Sequence, residues 1–318
     1  VLVARWITAC ALLPAPSSRP PASRSVPRDE EAIKRKAIVT GGAGFIGSHL
    51  TDVLLDREWD VLVVDDLTSG KMDNLVDARR RGVSVHITDI RAPELVDVFS
   101  RFMPEVVFHL AAQSKVRPSM EDPVHDAEVN VVGTLNVLGA AKRSGARKVC
   151  FASSGGAVYG DGARLPVKET AVKNPASPYG ISKKIVEDYF RWYRDVHGLE
   201  YSLLALANVY GPRQAAGLEG AVVAIFAEEM LGGRRPVIFG DGRQTRDFVF
   251  VGDVCDAFFR AADAGDGFMM NIGTGSEISI NDLYGAMARI VGYKTKPDYA
   301  PAKPGDVYRS VVDPSRAK

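Results

Sequence analysis

From Lys36 onward, short apolar runs alternate with longer stretches whose apolar positions recur every three or four residues. The runs KAIVT (36–40), DVLVVDD (60–66), VSVHITD (83–89), EVVFHLA (105–111), RKVCFAS (147–153) and YSLLALA (201–207) have the length of strands. Helical periodicity fills the gaps, near 45–57, 93–102, 124–143 and 179–197. Apolar strands separated by helices pair in parallel, with both sheet faces covered. The pattern therefore predicts an α/β fold built on a Rossmann-type, doubly wound parallel sheet over residues 36–210. After Gly211 the pieces shorten: a helix near 221–231, strands near 236–239 and 247–251, and helices near 252–263 and 279–291. Residues 211–318 are expected to form a smaller α/β unit over the open end of the sheet, interleaved with the first.

The two ends depart from this pattern. Residues 1–35 hold a short apolar stretch, Trp6 to Leu13, and then a Pro/Ser/Arg-rich run. That stretch is too short to span a bilayer, and the segment is expected to be an unstructured extension outside the fold. The closing residues DPSRAK look ready to open another helix, so truncation of the second unit is expected.

Composition narrows the function. With 46% hydrophobic and 25% charged residues, the 318-residue chain can bury a large core. Forty basic side chains against thirty-nine acidic ones give a net charge of +1. So even a balance favours neither nucleic acid nor an anionic membrane as partner, and an anionic ligand must be met by local donors. Three cysteines without CxxC spacing suggest neither a disulfide framework nor zinc, and fit the cytoplasm. His109 and His197 have no second ligand at metal-binding spacing, so no metal is expected.

The candidate chemistry begins where the first strand runs into GGAGFIG. Gly42, Gly44 and Gly47 satisfy Gly-x-Gly-x-x-Gly, and Gly41 opens the variant Gly-x-x-Gly-x-x-Gly. Both serve one need: a tight turn, a backbone that approaches a pyrophosphate, and a helix N-terminus aimed at it. Asp65 ends the second strand twenty-one positions after Gly44. A carboxylate there accepts from the adenosine ribose and repels a 2′-phosphate, and no cation follows until Lys71, so NAD is expected over NADP.

Tyr179 and Lys183, in SPYGISKK at the start of a helix, share one helical face. A tyrosine is a weak base at neutral pH, and a neighbouring lysine cation favours its phenolate. The pair suits taking a proton from an alcohol as hydride leaves. Ser153 and Ser154 lie upstream at a strand end.

The segments TGGAGFIG, HLAAQ, ASSGGAVYG, SPYGISK, NVYGPRQ, FGDGRQTRDFVFV and NIGTG appear in the order found in extended short-chain dehydrogenases/reductases. Over residues 36–318 the chain most resembles the UDP-glucose 4-epimerase family. The resemblance implies NAD as cofactor and a UDP-sugar as substrate, with a homodimer as the expected assembly. It makes Tyr179 the acid/base, with Lys183 on the nicotinamide ribose and Ser154 assisting. Gly41, Gly44, Phe45, Ile46, Gly47, Asp65, Ala111 and Ala112 would hold the cofactor. Asp89 and Ile90 would lie by the adenine, and Asn130 near the catalytic helix. Asn208, Arg246, Lys303 and Asp306 would meet the substrate's pyrophosphate, and Ser310 would sit at a gate beside the sugar.

The sequence departs from the family pattern at three places. Counting five residues back from Gly160, where the family has a Ser or Thr, gives Gly155, with Ser154 one place off. Ala205 and Leu206 replace an Arg-Tyr pair, and Lys303 replaces an arginine. Related dehydratases carry Asp-Glu, and decarboxylases a Glu, where this chain has Gly156 and Ala157, and neither can move a proton. The expected reaction is 4-epimerisation of UDP-glucose and UDP-galactose. A UDP-N-acetylglucosamine or UDP-glucuronate epimerase, a dehydratase or decarboxylase, and a non-catalytic NAD-binding regulator are the alternatives.

Overall fold

The computed structural model describes residues 34–217, 220–302 and 307–318. Of the expected extension, residues 1–33 fall outside the described ones, as do Lys303 and Asp306.

β1 (Lys36–Thr40) leads into α1 (Phe45–Asp56), β2 (Asp60–Asp65), a 3₁₀ turn, α2 (Val76–Arg80), β3 (Ser84–Ile87), α3 (Leu95–Phe102) and β4 (Val106–His109). α4 (Val116–Glu121) and α5 (Pro123–Ala127) pass through a π-helical turn, Glu128–Val132, into α6 (Gly133–Arg143). β5 (Lys148–Ser154), α7 (Pro178–His197) and β6 (Glu200–Leu206) follow. The later elements are β7 (Asn208–Tyr210), α8 (Val222–Leu231), β8 (Val237–Phe239), β9 (Thr245–Arg246), β10 (Phe248–Phe250) and α9 (Val251–Ala261). β11 (Phe268–Ile272), β12 (Ile278–Ser279), α10 (Ile280–Val291), β13 (Asp298–Ala300) and β14 (Arg309–Ser310) complete the chain.

Seven strands form one parallel sheet in the order β11-β6-β5-β4-β1-β2-β3. One face buries Leu50 and Leu54 of α1 against Val254 and Phe258 of α9. The other buries Phe99, Leu138, Val186 and Phe190 from α3, α6 and α7. Each such side chain contributes about 1.5–3 kcal/mol by leaving water. The order reverses between β1 and β4, and a crevice for a ligand forms at the carboxyl ends of strands that part this way.

The smaller unit has its own core, where Phe226 and Met230 of α8 meet Leu283 and Met287 of α10. One expectation needs correction. Residues 251–272 do not belong with the small unit, because α9 packs on the large sheet and β11 adds its seventh strand beside β6. The isolated short run FMMNI gave no sign of that edge, whose hydrogen bonds are made with residues 202–206. The closing DPSRAK forms a turn, with the Ala317 N–H donating to the Pro314 carbonyl at 3.1 Å, and opens no helix within the chain. Among the described residues no helix is long and apolar enough to cross a membrane.

Candidate active site

The glycine loop lies at the point where the strand order reverses. Gly41 has φ +70°, and a Cβ there would stand 2.6 Å from the Ala111 nitrogen, just past β4. A Cβ on Gly47 would meet the Gly41 carbonyl oxygen at 2.2 Å. The loop thus closes on itself only without side chains. Gly44 caps α1 with no side-chain hydrogen bond, leaving the first-turn N–H groups of Phe45, Ile46 and Gly47 without an intrahelical partner. This backbone cradle with a positive helix end fits the pyrophosphate of a dinucleotide.

Asp65 is buried and braces that loop. Its Oδ2 accepts from the Ala43 N–H and its Oδ1 from the Leu67 N–H, both at 2.9 Å. Burial pushes its carboxyl above the usual range, and the two amide bonds oppose the shift. An ionised carboxylate accepts about four hydrogen bonds, so capacity for ribose hydroxyls remains. Gly70, not singled out from the sequence, closes over this carboxylate, since a Cβ there would lie 2.6 Å from Oδ1. Asp89 is held by Arg91, with an oxygen 2.6 Å from Nη2, and this guanidinium pulls its carboxyl below the usual range. The Ile90 side chain is buried toward Gly133, and its carbonyl accepts from Asn136 Nδ2 at 3.3 Å. Ala111 and Ala112 follow β4, with the Ala111 N–H donating to Thr40 Oγ1 at 3.3 Å.

Ser177 and Pro178 start α7 where the sequence places them, with Ser177 Oγ accepting from the Gly180 N–H. Tyr179 and Lys183 sit on its first two turns. The Tyr179 N–H donates to Ser119 Oγ at 3.2 Å. Lys183 Nζ donates to the Ala152 carbonyl at 3.0 Å, lies 4.3 Å from the Phe151 ring centre and 5.8 Å from that of Tyr179. Its enclosure, with only 3% of the residue exposed, pulls its pKa down to about 7, while Asp126 acts in the opposite sense.

Strand alternation sorts the two serines. Phe151 packs with the α7 core, so Ser153 shares its face, whereas Ala152 packs against the opposite core and Ser154 follows it. The Ser153 Oγ is buried and has no hydrogen-bond partner among the described residues. Ser154 ends β5, and its carbonyl accepts from Ala157 and Val158. At Gly155, the position found by counting back, a Cβ would stand 2.9 Å from Val312 Cγ1. The site accommodates glycine there because the chain's end packs on it.

The substrate candidates come together from separate segments. Ser310 lies opposite Arg246 where β14 pairs with β9. The Asp247 N–H donates to the Ser310 carbonyl, and the Asn208 N–H to that of Asp247, each at 2.9 Å. Asp247 itself is occupied by the Thr274 and Gly275 N–H groups and the Thr274 hydroxyl. Ser310 Oγ is 3.9 Å from where a Gly156 Cβ would be, which brings the last strand to the loop after β5.

The sequence did not point to a polar cluster beneath α7. Asp126 accepts from Gln113 Nε2 (2.9 Å), Asn130 Nδ2 (2.9 Å) and Ser182 Oγ (2.7 Å). His109 is enclosed between Thr40 Oγ1 at 2.7 Å and Thr134 Oγ1 at 3.0 Å, and burial lowers its pKa to about 3. Among the described residues no group of metal-ligating side chains comes together.

A family model described as the NAD dependent epimerase/dehydratase family matches residues 37–273. The UDP-glucose 4-epimerase of Mycolicibacterium smegmatis is 47% identical over 285 residues, covering 89% of this chain and 91% of its own. The structure of a UDP-glucose 4-epimerase from Thermotoga maritima, solved with UDP-glucose, matches with a TM-score of 0.86 at 44% identity, over 89% of this chain and 91% of that one. A Thermus thermophilus UDP-glucose 4-epimerase in complex with NAD matches with a TM-score of 0.83 at 40% identity, over 89% and 91%. A model spanning most of the large sheet and a relative this similar along nearly its whole length lead to one assignment: the chain belongs to the NAD dependent epimerase/dehydratase family.

Proposed function

We propose that this protein is an NAD-dependent UDP-glucose 4-epimerase, interconverting UDP-glucose and UDP-galactose. The observation that carries this reading is Lys183, buried on α7 beside Tyr179, in a chain whose glycine loop fits a dinucleotide. Bound NAD would supply a reversible hydride acceptor at C4 of the sugar. Tyr179 takes the C4 hydroxyl proton and later returns it, and the Lys183 cation favours the phenolate needed for the first step. Ser154, or Ser153 with its hydroxyl unpartnered among the described residues, assists Tyr179. Asn208 and Arg246 hold the UDP pyrophosphate, where an arginine fork can donate two parallel hydrogen bonds. The 4-keto sugar turns between the two transfers, which asks for no further acid or base. Gly156 and Ala157 agree with that economy, since elimination of water would need carboxyl groups there.

The test is incubation of the purified protein with UDP-galactose, reading UDP-glucose by NMR. Absence of conversion with NAD present would sink the reading.

The assembly we propose is a homodimer through α7. Ile181, Ile185, Tyr189, Trp192 and Val196 are each 39–56% exposed and recur every three or four residues, forming one apolar stripe. Trp192→Glu should give a monomer by light scattering if that stripe joins two copies, and an unchanged mass would reject it. Both described cysteines, Cys150 and Cys255, are buried and unpaired, which supports the reducing cytoplasm as the place of action.

A further inference from the structure

We propose that Asp126 is the buried counter-charge of Lys183, a positioning residue beneath α7 whose charge acts through space on the Tyr179–Lys183 pair. This rests on the reading of those two side chains as one acid/base unit.

Asp126 is completely buried at the end of α5. Three donors converge on it from three segments: Gln113 after β4, Asn130 in the π-helical turn, and Ser182 on α7. Both carboxylate oxygens take part as acceptors. Gln113 and Asn130 are themselves fixed, since the Gln113 N–H donates to Asn130 Oδ1 and Asn130 Nδ2 to the Gln113 carbonyl. The π-helical turn adds a residue to the helix and presents Asn130 inward, a device common at functional sites. The carboxylate is therefore locked in place, and its bond to Ser182 binds it to the residue next to Lys183.

A buried charge without a compensating charge nearby is unfavourable. Among the described residues no carboxylate forms a direct ion pair with Lys183 Nζ, which faces the Ala152 carbonyl and two aromatic rings. The other titratable groups around it supply no uncommitted negative charge. His109 on β4 is neutral, its pKa being near 3. Glu187, one turn further along α7, is paired with Lys173. Asp126 is the carboxylate whose field acts on Lys183, against the burial that would strip its proton. Without that charge burial lowers the Lys183 pKa further, which weakens the cationic field that favours the Tyr179 phenolate.

The test follows the Tyr179 phenolate by near-ultraviolet absorbance in the NAD-loaded protein, subtracting the Tyr179→Phe counterpart. Asp126→Asn keeps the shape but not the charge: its Oδ1 can still accept from Gln113 and Asn130, while its Nδ2 would donate to the Ser182 hydroxyl, and it should raise the Tyr179 midpoint by about one pH unit. Ser182→Ala removes a bond but no charge, and should leave the midpoint in place. Asp126→Glu should do the same. Asp126→Ser is a second charge-free variant, held to the same outcome as the amide should the amide disturb folding. A midpoint that stays or falls on loss of the charge overturns the proposal, because Lys183 then keeps its proton unaided. An equal rise with Ser182→Ala also overturns it, assigning the effect to packing. The titration needs no turnover, so failure to epimerise UDP-sugars and failure of this inference are separate results.

Discussion

Ser310 lies opposite Arg246 in the parallel ladder between β14 and β9, with its hydroxyl 3.9 Å from the space a Gly156 side chain would take. Sixty-four residues of chain thus close on one rim, where the sugar would meet the loop after β5. With the sugar at that rim, a small side chain at 310 facing a glycine at 156 would leave room for a group on its C2. The protein is expected to convert UDP-N-acetylglucosamine as well as UDP-glucose. Ser310→Tyr should reduce turnover of the acetylated sugar by about tenfold to several hundredfold while largely sparing the plain one. Equal loss on both sugars, read by NMR of the products, would reject the gate.

Tyr179→Phe removes a proton acceptor and almost no volume. Turnover should fall by about two to four orders of magnitude, with melting temperature and bound NAD retained. Loss of NAD from the purified variant would mean instead that the hydroxyl mainly holds cofactor.

The two serines can be separated. Ser153 shares the face of Phe151 and α7, and its hydroxyl has no partner among the described residues. Ser153→Ala therefore breaks no hydrogen bond within the described protein and should not lower stability. If kcat falls with Ser153→Ala and not with Ser154→Ala, the assisting hydroxyl is Ser153. The converse supports the assignment drawn from the family.

Asp65 carries two duties, so its loss should show two effects. Asp65→Ala should narrow a preference for NAD over NADP of at least about tenfold, equal to ~1.4 kcal/mol. It should also leave the Ala43 and Leu67 N–H groups without their acceptor, costing about 1–3 kcal/mol in stability. Isothermal titration and chemical denaturation read these separately. Equal affinity of the parent for both cofactors would overturn the cofactor assignment.

His109 makes stability depend on pH. It is neutral in the fold, with a pKa near 3, against an ordinary value of 6.5 when unfolded. Between those values the unfolded chain binds a proton that the fold does not, so stability falls as pH drops from about 6.5 toward about 3. His109→Gln should be less stable at pH 7 yet show a shallower loss between pH 7 and 5. An identical slope in both proteins, measured by urea unfolding, would mean other groups govern that window.

Most of the large unit was legible from local patterns. Six of the seven sheet strands and the longer helices between them, α1, α3, α6 and α7, follow from alternating run lengths, because a strand buried on both faces, such as β1 or β4, must be apolar throughout; α2 and α4 were not legible. The glycine loop was also legible, since the backbone conformation at Gly41 and the contact at Gly47 exclude side chains wherever the rest of the chain lies. The partners of a strand or a charge were not, because they are chosen by distance in space. β11 joined the sheet rather than the small unit because its edge hydrogen bonds are made with β6. The meeting of Ser310 with Arg246 and Gly156 needed the last strand to return to a loop some hundred and fifty residues earlier. Asp126 lies in a segment that reads simply as helix. Its burial among Gln113, Asn130 and Ser182 arises where three separate segments pack, and a charge gains influence there because water is excluded.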